Sequence, residues 1–203
     1  MHVRSSALVA IALLAAVAPA HAESEVRGRV ALDLPGMQLA DLGPIVVYVA
    51  PIAGIAPSAP TATPALHQKN AAFAPAFLAI AAGQSVVMPN DDEIYHNVFS
   101  YSKPNDFDLG LYAAGKSRQV TFKFPGAVKL YCAIHESMNG AIFVSPTPWF
   151  AVAGADGRFV LRGVPPGARV LRTWNEKLPD TEHAIDVSTT GTASVDLSLI
   201  PRK

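Results

Sequence analysis

The sequence predicts an all-β protein built from β-sandwiches, and three observations carry that expectation. Outside the N-terminus no stretch shows the 3.6-residue apolar period of an amphipathic helix. Short runs rich in Val, Ile, Phe, Tyr and Thr recur along the chain, separated by Gly, Pro, Asn and Asp. The separators carry turn chemistry: "AAGQ" around Gly83, "PGA" at 125–127, "ADGR" at 155–158 and "PPGA" at 165–168 each place Gly where a tight turn needs positive φ.

The elements follow in order. Arg4, an apolar run over 7–18 and the A-x-A pattern Ala20-His21-Ala22 read as a secretory signal peptide, residues 1–22, cleaved after Ala22. The run is short for a bilayer span of about 20 residues, and no later stretch is long and apolar enough to make one. The mature chain is therefore expected to be soluble and exported, most simply to a bacterial periplasm. Strands are expected at 25–32, 44–50, 77–81, 84–89, 96–101, 118–124, 128–132 and 141–145, then at 149–153, 158–164, 168–174, 183–188 and 193–200. Asp156-Gly157 between two apolar runs marks a hairpin. Residues 51–64, rich in Pro, Ala, Ser and Thr, read as an extended, poorly packed linker. "SPTPW" at 145–149 is a second boundary, because its prolines interrupt the strand pattern. Between these boundaries, 65–146 holds enough strands for a small sandwich of its own.

Charge excludes one class of partner. The chain has formal net charge +0, and 65–146 carries six Lys and Arg against six Asp and Glu, which argues against nucleic acid. The cluster Asp91-Asp92-Glu93 reads as a solvated turn.

The chain has one cysteine, so in an oxidising compartment Cys132 has no internal partner. A buried inert thiol, an intermolecular bridge and a metal ligand are the alternatives. His135 follows by three positions and Met138 by six, in "YCAIHESMNG". Thiolate, imidazole and thioether together suit copper better than hard ions, and a structural zinc site usually wants two close ligand pairs, which one cysteine does not supply. His96 opens a strand 36 residues before Cys132, far enough to cross a Greek key and return alongside. His96, Cys132, His135 and Met138 make a trigonal His₂Cys set with a weak axial Met, the donor set of a blue copper electron-transfer centre. A nucleophilic Cys132–His135 pair lacks an orienting third residue and a substrate signature. No catalytic residue is assigned and no enzyme is expected. His67, His183, Trp149 and Phe150 read as structural.

"PNDDEIYHNVFS" followed by "PGAVKLYCAIHESMNG" resembles the cupredoxins, the type 1 blue copper proteins, with the short Cys-x-x-His-x-x-Met loop of the amicyanin type. The resemblance covers about 65–146, and "AFAPAFLAIAAGQSVVMPN" extends it to the opening strands. It implies one copper ion held by His96, Cys132 and His135, with Met138 as long axial ligand. It implies that Asn97 ties the His96 strand to the Cys132 loop and aims its backbone N–H at the sulfur. It also implies electron transfer with transient redox partners. Glu136 departs from the family, whose members often carry Pro or an aromatic there. The alternative function on the same ligands is copper sequestration, delivery or sensing without redox turnover. A third is an interaction protein in which the flanking segments are the main binder.

Those flanks carry a second resemblance. "GADGRFVLRGVPPGARVLRTWNE" (154–176) looks like the second half of a carboxypeptidase regulatory-like, transthyretin-like sandwich, and 26–49 fits its first half. The whole chain resembles exported bacterial proteins of the methylamine-utilisation type. One discontinuous sandwich, 25–50 plus 147–203, with the cupredoxin unit inserted, is the expected arrangement. The rival places 25–50 in an enlarged middle unit that precedes the last sandwich. The partners of strand 25–32 discriminate between the two.

Overall fold

A computed structural model describes residues 24–32, 34–56, 58–189 and 191–199; residues 1–22, expected above to be a signal peptide, lie outside them. The chain runs through β1 (Glu25–Leu32), a 3-10 helix (Leu39–Leu42) and β2 (Val46–Val49). Next come β3 (His67–Lys69), β4 (Ala72–Ala74), β5 (Phe77–Ala81), β6 (Ser85–Pro89), β7 (His96–Ser100), β8 (Phe107–Tyr112), β9 (Ser117–Thr121), β10 (Gly126–Tyr131) and β11 (Asn139–Ser145). The last strands are β12 (Phe150–Val152), β13 (Arg158–Arg162), β14 (Gly167–Trp174), β15 (Thr181–Val187) and β16 (Thr192–Leu199). No α-helix occurs among the described residues.

Strand β1 pairs antiparallel with β13 and parallel with β16. Strand β2 lies between β12 and β14, and β14 continues to β15. Both early strands thus find their partners after residue 149. Strands β3 to β11 pair only among themselves, chiefly in a five-stranded sheet ordered β5-β11-β10-β7-β8 and a β6-β9 pair.

Alternation explains the faces. In β1, Val26 and Val30 point inward while Arg27 and Arg29 point out, as a half-buried strand requires. Val47, Val49, Leu161, Leu171 and Leu197 complete that core. The other core gathers Leu66, Ile80, Val86, Phe122, Leu130 and Ile142 with Cys132 and Met138. Each such side chain contributes about 1.5–3 kcal/mol by leaving water. Strand β2 is buried on both faces, which is why it reads as the unbroken apolar run "VVYV". Its second face, Val46 and Tyr48, meets Phe143, Phe77 and Ala79 of the five-stranded sheet. There Trp174 stacks on Phe143 with centroids 4.6 Å apart, and Tyr48 tilts against Phe143 at 5.6 Å. The Lys129–Glu176 ion pair spans the same junction.

The structure departs from expectation at three strands and at the linker. Strands β3 and β4 are three residues each and bury one side chain apiece, Gln68 and Phe73, too little for a period to register. Strand β8 contains Asp108 and Gly110, the latter at φ +63°, and its pairing with β7 slips between Asn97 and Phe99. The end of the Pro-rich segment is not loosely packed. The Val87 amide donates to the Pro64 carbonyl at 3.0 Å, and Gln84 Nε2 to the Ala62 carbonyl at 2.7 Å. Proline lacks a donor but keeps its acceptor.

Gly28 sits where β1 passes under the Phe159 ring. A Cβ there would lie 2.6 Å from Phe159 Cζ and closer still to the Val195 carbonyl oxygen. Gly28→Ala is expected to cost about 1–3 kcal/mol, read from the urea midpoint, whereas exposed Ser194→Ala stays within about 0.5 kcal/mol. Equal midpoints for the two variants would contradict this packing.

Candidate metal centre

Two strand ends create the site. Strand β10 neighbours β7, with Tyr131 opposite Phe99, so the start of β7 and the end of β10 lie at one end of the sheet. Tyr131 also pairs with Asn139 of β11, closing residues 132–138 into a hairpin loop. Inside the loop the Met138 amide donates to the His135 carbonyl at 2.9 Å, and the Cys132 amide to the Met138 carbonyl at 3.2 Å. The loop is therefore folded back on itself before any metal is considered.

Three donors converge. Cys132 Sγ lies 3.9 Å from His96 Nδ1 and 3.8 Å from His135 Nδ1, and the donor atoms of the three residues all fall within 4.8 Å of one another. The imidazoles meet edge to face, with centroids 4.8 Å apart. His96 is fully buried, Cys132 nearly so, and His135 half-buried. One sulfur and two imidazole nitrogens this close together are a donor set that fits a copper ion. Met138, 1% exposed, sits in the same core cluster as Cys132.

The surroundings hold these groups in place. His96 Nε2 lies 2.7 Å from Asp92 Oδ2, which leaves Nδ1 as the nitrogen turned to Cys132. Asp92 accepts hydrogen bonds from the Asn70 amide at 2.6 Å and the Ala71 amide at 2.9 Å. Partial burial opposes its charge. The Ala71 amide, the His96 ring and the Asn70 amide outweigh that and hold the carboxyl below its ordinary range. Asn97 accepts from the Ala133 amide at 3.3 Å and donates to Asp108 Oδ1 at 2.7 Å, so it links β7 to the loop and to β8. Burial pushes the Cys132 thiol up. The backbone N–H groups of Asn97, Ile134 and His135 and the His96 ring together overcome this and bring it down to about 6.

Other residues of interest lie apart. His67 pairs with Asp91 at 2.6 Å on the surface, and His183 contacts Thr181 in β15. Trp149 packs against the core of the β1 sandwich, and Phe150 joins the junction cluster. Glu136 is exposed on the loop and makes no ion pair among the described residues. The acidic cluster is corrected: Asp92 is no solvated turn residue but the partner of His96. Its position four residues before His96 was the available signal. The turn that anchors it lies over twenty residues upstream and offered none.

No protein-family model matches the chain, and no curated protein matches it. Among solved structures it is similar to a purple cupredoxin from Nitrosopumilus maritimus, at 23% identity and TM-score 0.37, over 40% of this chain and 99% of that one. It is similar to amicyanin from Paracoccus versutus at 20% identity and TM-score 0.38, over 42% of this chain and 84% of that one. A copper-containing nitrite reductase from Thermus scotoductus SA-01 matches at 21% identity and TM-score 0.40, over 57% of this chain and 28% of that one.

The depressed thiol makes stability depend on pH. Between about 6 and 9.0, its ordinary value, the folded chain carries the thiolate and the unfolded chain still holds the proton. Unfolding then takes up a proton, so stability rises with pH by up to about 1.4 kcal/mol per unit and levels off above 9. Urea titrations of metal-free protein are expected to show this slope, and Cys132→Ser to lack it; the same slope in both would contradict the assigned environment.

Proposed function

We propose that the protein is an exported electron carrier of the cupredoxin kind, holding one type 1 copper ion through His96, Cys132 and His135 with Met138 as axial ligand. The observation that carries the reading is the convergence of one thiol and two imidazole nitrogens within 4.8 Å of one another. Bound there, copper would supply a one-electron Cu(I)/Cu(II) couple. Cys132 presents a sulfur already biased to the thiolate, the form that ligates. His96 and Asn97 keep their places through Asp92, Asp108 and the Ala133 amide, so the frame does not have to reorganise around the metal.

His135 is the half-buried member of the set and the edge through which electrons would pass. Exposed Ile94, Tyr95, Leu111 and Ile134 belong to the segments that carry or flank the donors. Their exposed apolar side chains would suit a transient redox partner, whose interfaces are small, below about 1,200 Å². Residues 1–22 would direct the chain to the periplasm. The flanking segments, 25–50 plus 147–203, would form a transthyretin-like sandwich carrying the cupredoxin unit as an insertion, with 51–64 leading into it. Electron carriage is preferred to storage because one thiolate and one thioether build a single redox site rather than a multi-copper reservoir.

Copper(II) added to the full chain is expected to give an intense thiolate-to-copper band in the visible and a reversible couple in voltammetry. Cys132→Ser should abolish both. Met138→Leu should keep the colour and shift the potential, as an axial ligand does. A colourless wild type ends the type 1 reading; colour without a reversible couple ends electron carriage and favours copper sequestration or delivery.

A further inference from the structure

Resting on the copper reading, we propose that Asp92 is a positioning residue that sets the reduction potential of the centre, and that the β3–β4 hairpin holds it there. His96 is completely buried, and its two ring nitrogens have different neighbours: Nδ1 faces Cys132 Sγ, and Nε2 lies 2.7 Å from Asp92 Oδ2. If Nδ1 is the metal donor, Nε2 carries the proton and donates it to the carboxylate, which fixes the tautomer and the ring plane.

The carboxylate is itself fixed from outside the ligand segments. The turn between β3 and β4 places two non-glycine residues in the left-handed region, Asn70 at φ 56° and Ala71 at φ 51°. That conformation is rare for alanine and needs compensation from its surroundings. Here the turn aims two successive amides at one anion: Asn70 N–H at Oδ1 and Ala71 N–H at Oδ2. Neighbouring contacts staple the same loop to the same hairpin. The Asp91 amide donates to the Gln68 carbonyl at 2.9 Å, and Asp91 Oδ2 meets His67 at 2.6 Å. Buried Asn90 braces the loop from within, donating to the Ile94 carbonyl at 2.8 Å and the Tyr112 carbonyl at 3.1 Å.

The two imidazoles are therefore unequal. His135 has no comparable partner for its second nitrogen among the described residues. The charge of Asp92 is held against His96 and not against His135, and beside a bound copper ion it would favour the more positive oxidation state. The carboxylate thus lowers the potential, and the hairpin keeps it from swinging away.

The test uses the full chain, metal-free and copper-loaded. Nitrogen-15 NMR of the metal-free wild type is expected to show a proton on His96 Nε2, whatever the state of Nδ1; a His96 ring without a proton at Nε2 would overturn the proposal without any variant. Asp92→Asn, checked for folding by its urea transition, is expected to keep the visible band, lose 10–100-fold in Cu(II) affinity and mix the His96 tautomers. Its potential should rise, by about 59 mV for each tenfold preferential loss of Cu(II) over Cu(I) affinity. Asp92→Glu, which restores the charge, should recover part of the shift. A folded Asp92→Asn with unchanged potential and unchanged tautomer overturns the proposal. A wild type that gives no coloured copper complex defeats the copper reading instead, and the metal-free tautomer then still decides whether Asp92 positions His96.

Discussion

A fully buried imidazole must have both of its nitrogens provided for, because an unsatisfied polar atom in the interior is costly. At His96 that requirement organises the whole end of the five-stranded sheet. One nitrogen is met by a carboxylate, and the other is turned toward a thiol on a different strand. The carboxylate needs donors of its own and takes them from a left-handed turn. The thiol needs its charge stabilised and takes N–H groups from Asn97 and from its own loop. Remove the imidazole, and the carboxylate and the thiol each lose the one partner they share.

The second sandwich is joined to the first by aromatic packing rather than by a tether alone. Trp174, Phe143, Phe77 and Tyr48 form the junction, with the Lys129–Glu176 pair at its edge. Strand β2, buried on both faces, belongs to one core and seals the other sheet. Cys132 and Met138 lie on the opposite side of that five-stranded sheet, inside its own core. Both side chains are thus separated from the junction by a layer of strands.

Much of this was legible in the sequence. The long alternating strands, the Gly-bearing turns and the short Cys-x-x-His-x-x-Met spacing are local patterns, and local patterns survive in a linear text. Strand β2 was readable as a strand, but its second buried face was not, since nothing in "VVYV" says what covers it. Strands β3, β4 and β8 escaped for lack of length or because Asp108 and Gly110 hide the period. Asp92 escaped for a different reason. Its role depends on two backbone amides, and an amide has no letter: "NAA" gives no hint that its chain bends left-handed.

The order of pairing along the chain has a consequence for how the molecule comes into being. Chains are made N-terminus first, and domains tend to fold as units as they emerge. Strand β1 waits for Arg158 and beyond on one edge, and for Thr192 and beyond on the other. The sheet that carries His96 and Cys132 is complete once Ser145 has emerged. The donor cluster can therefore assemble while β1 and β2 are still open-edged, and β16, the last of the described strands, closes the edge that β1 leaves open.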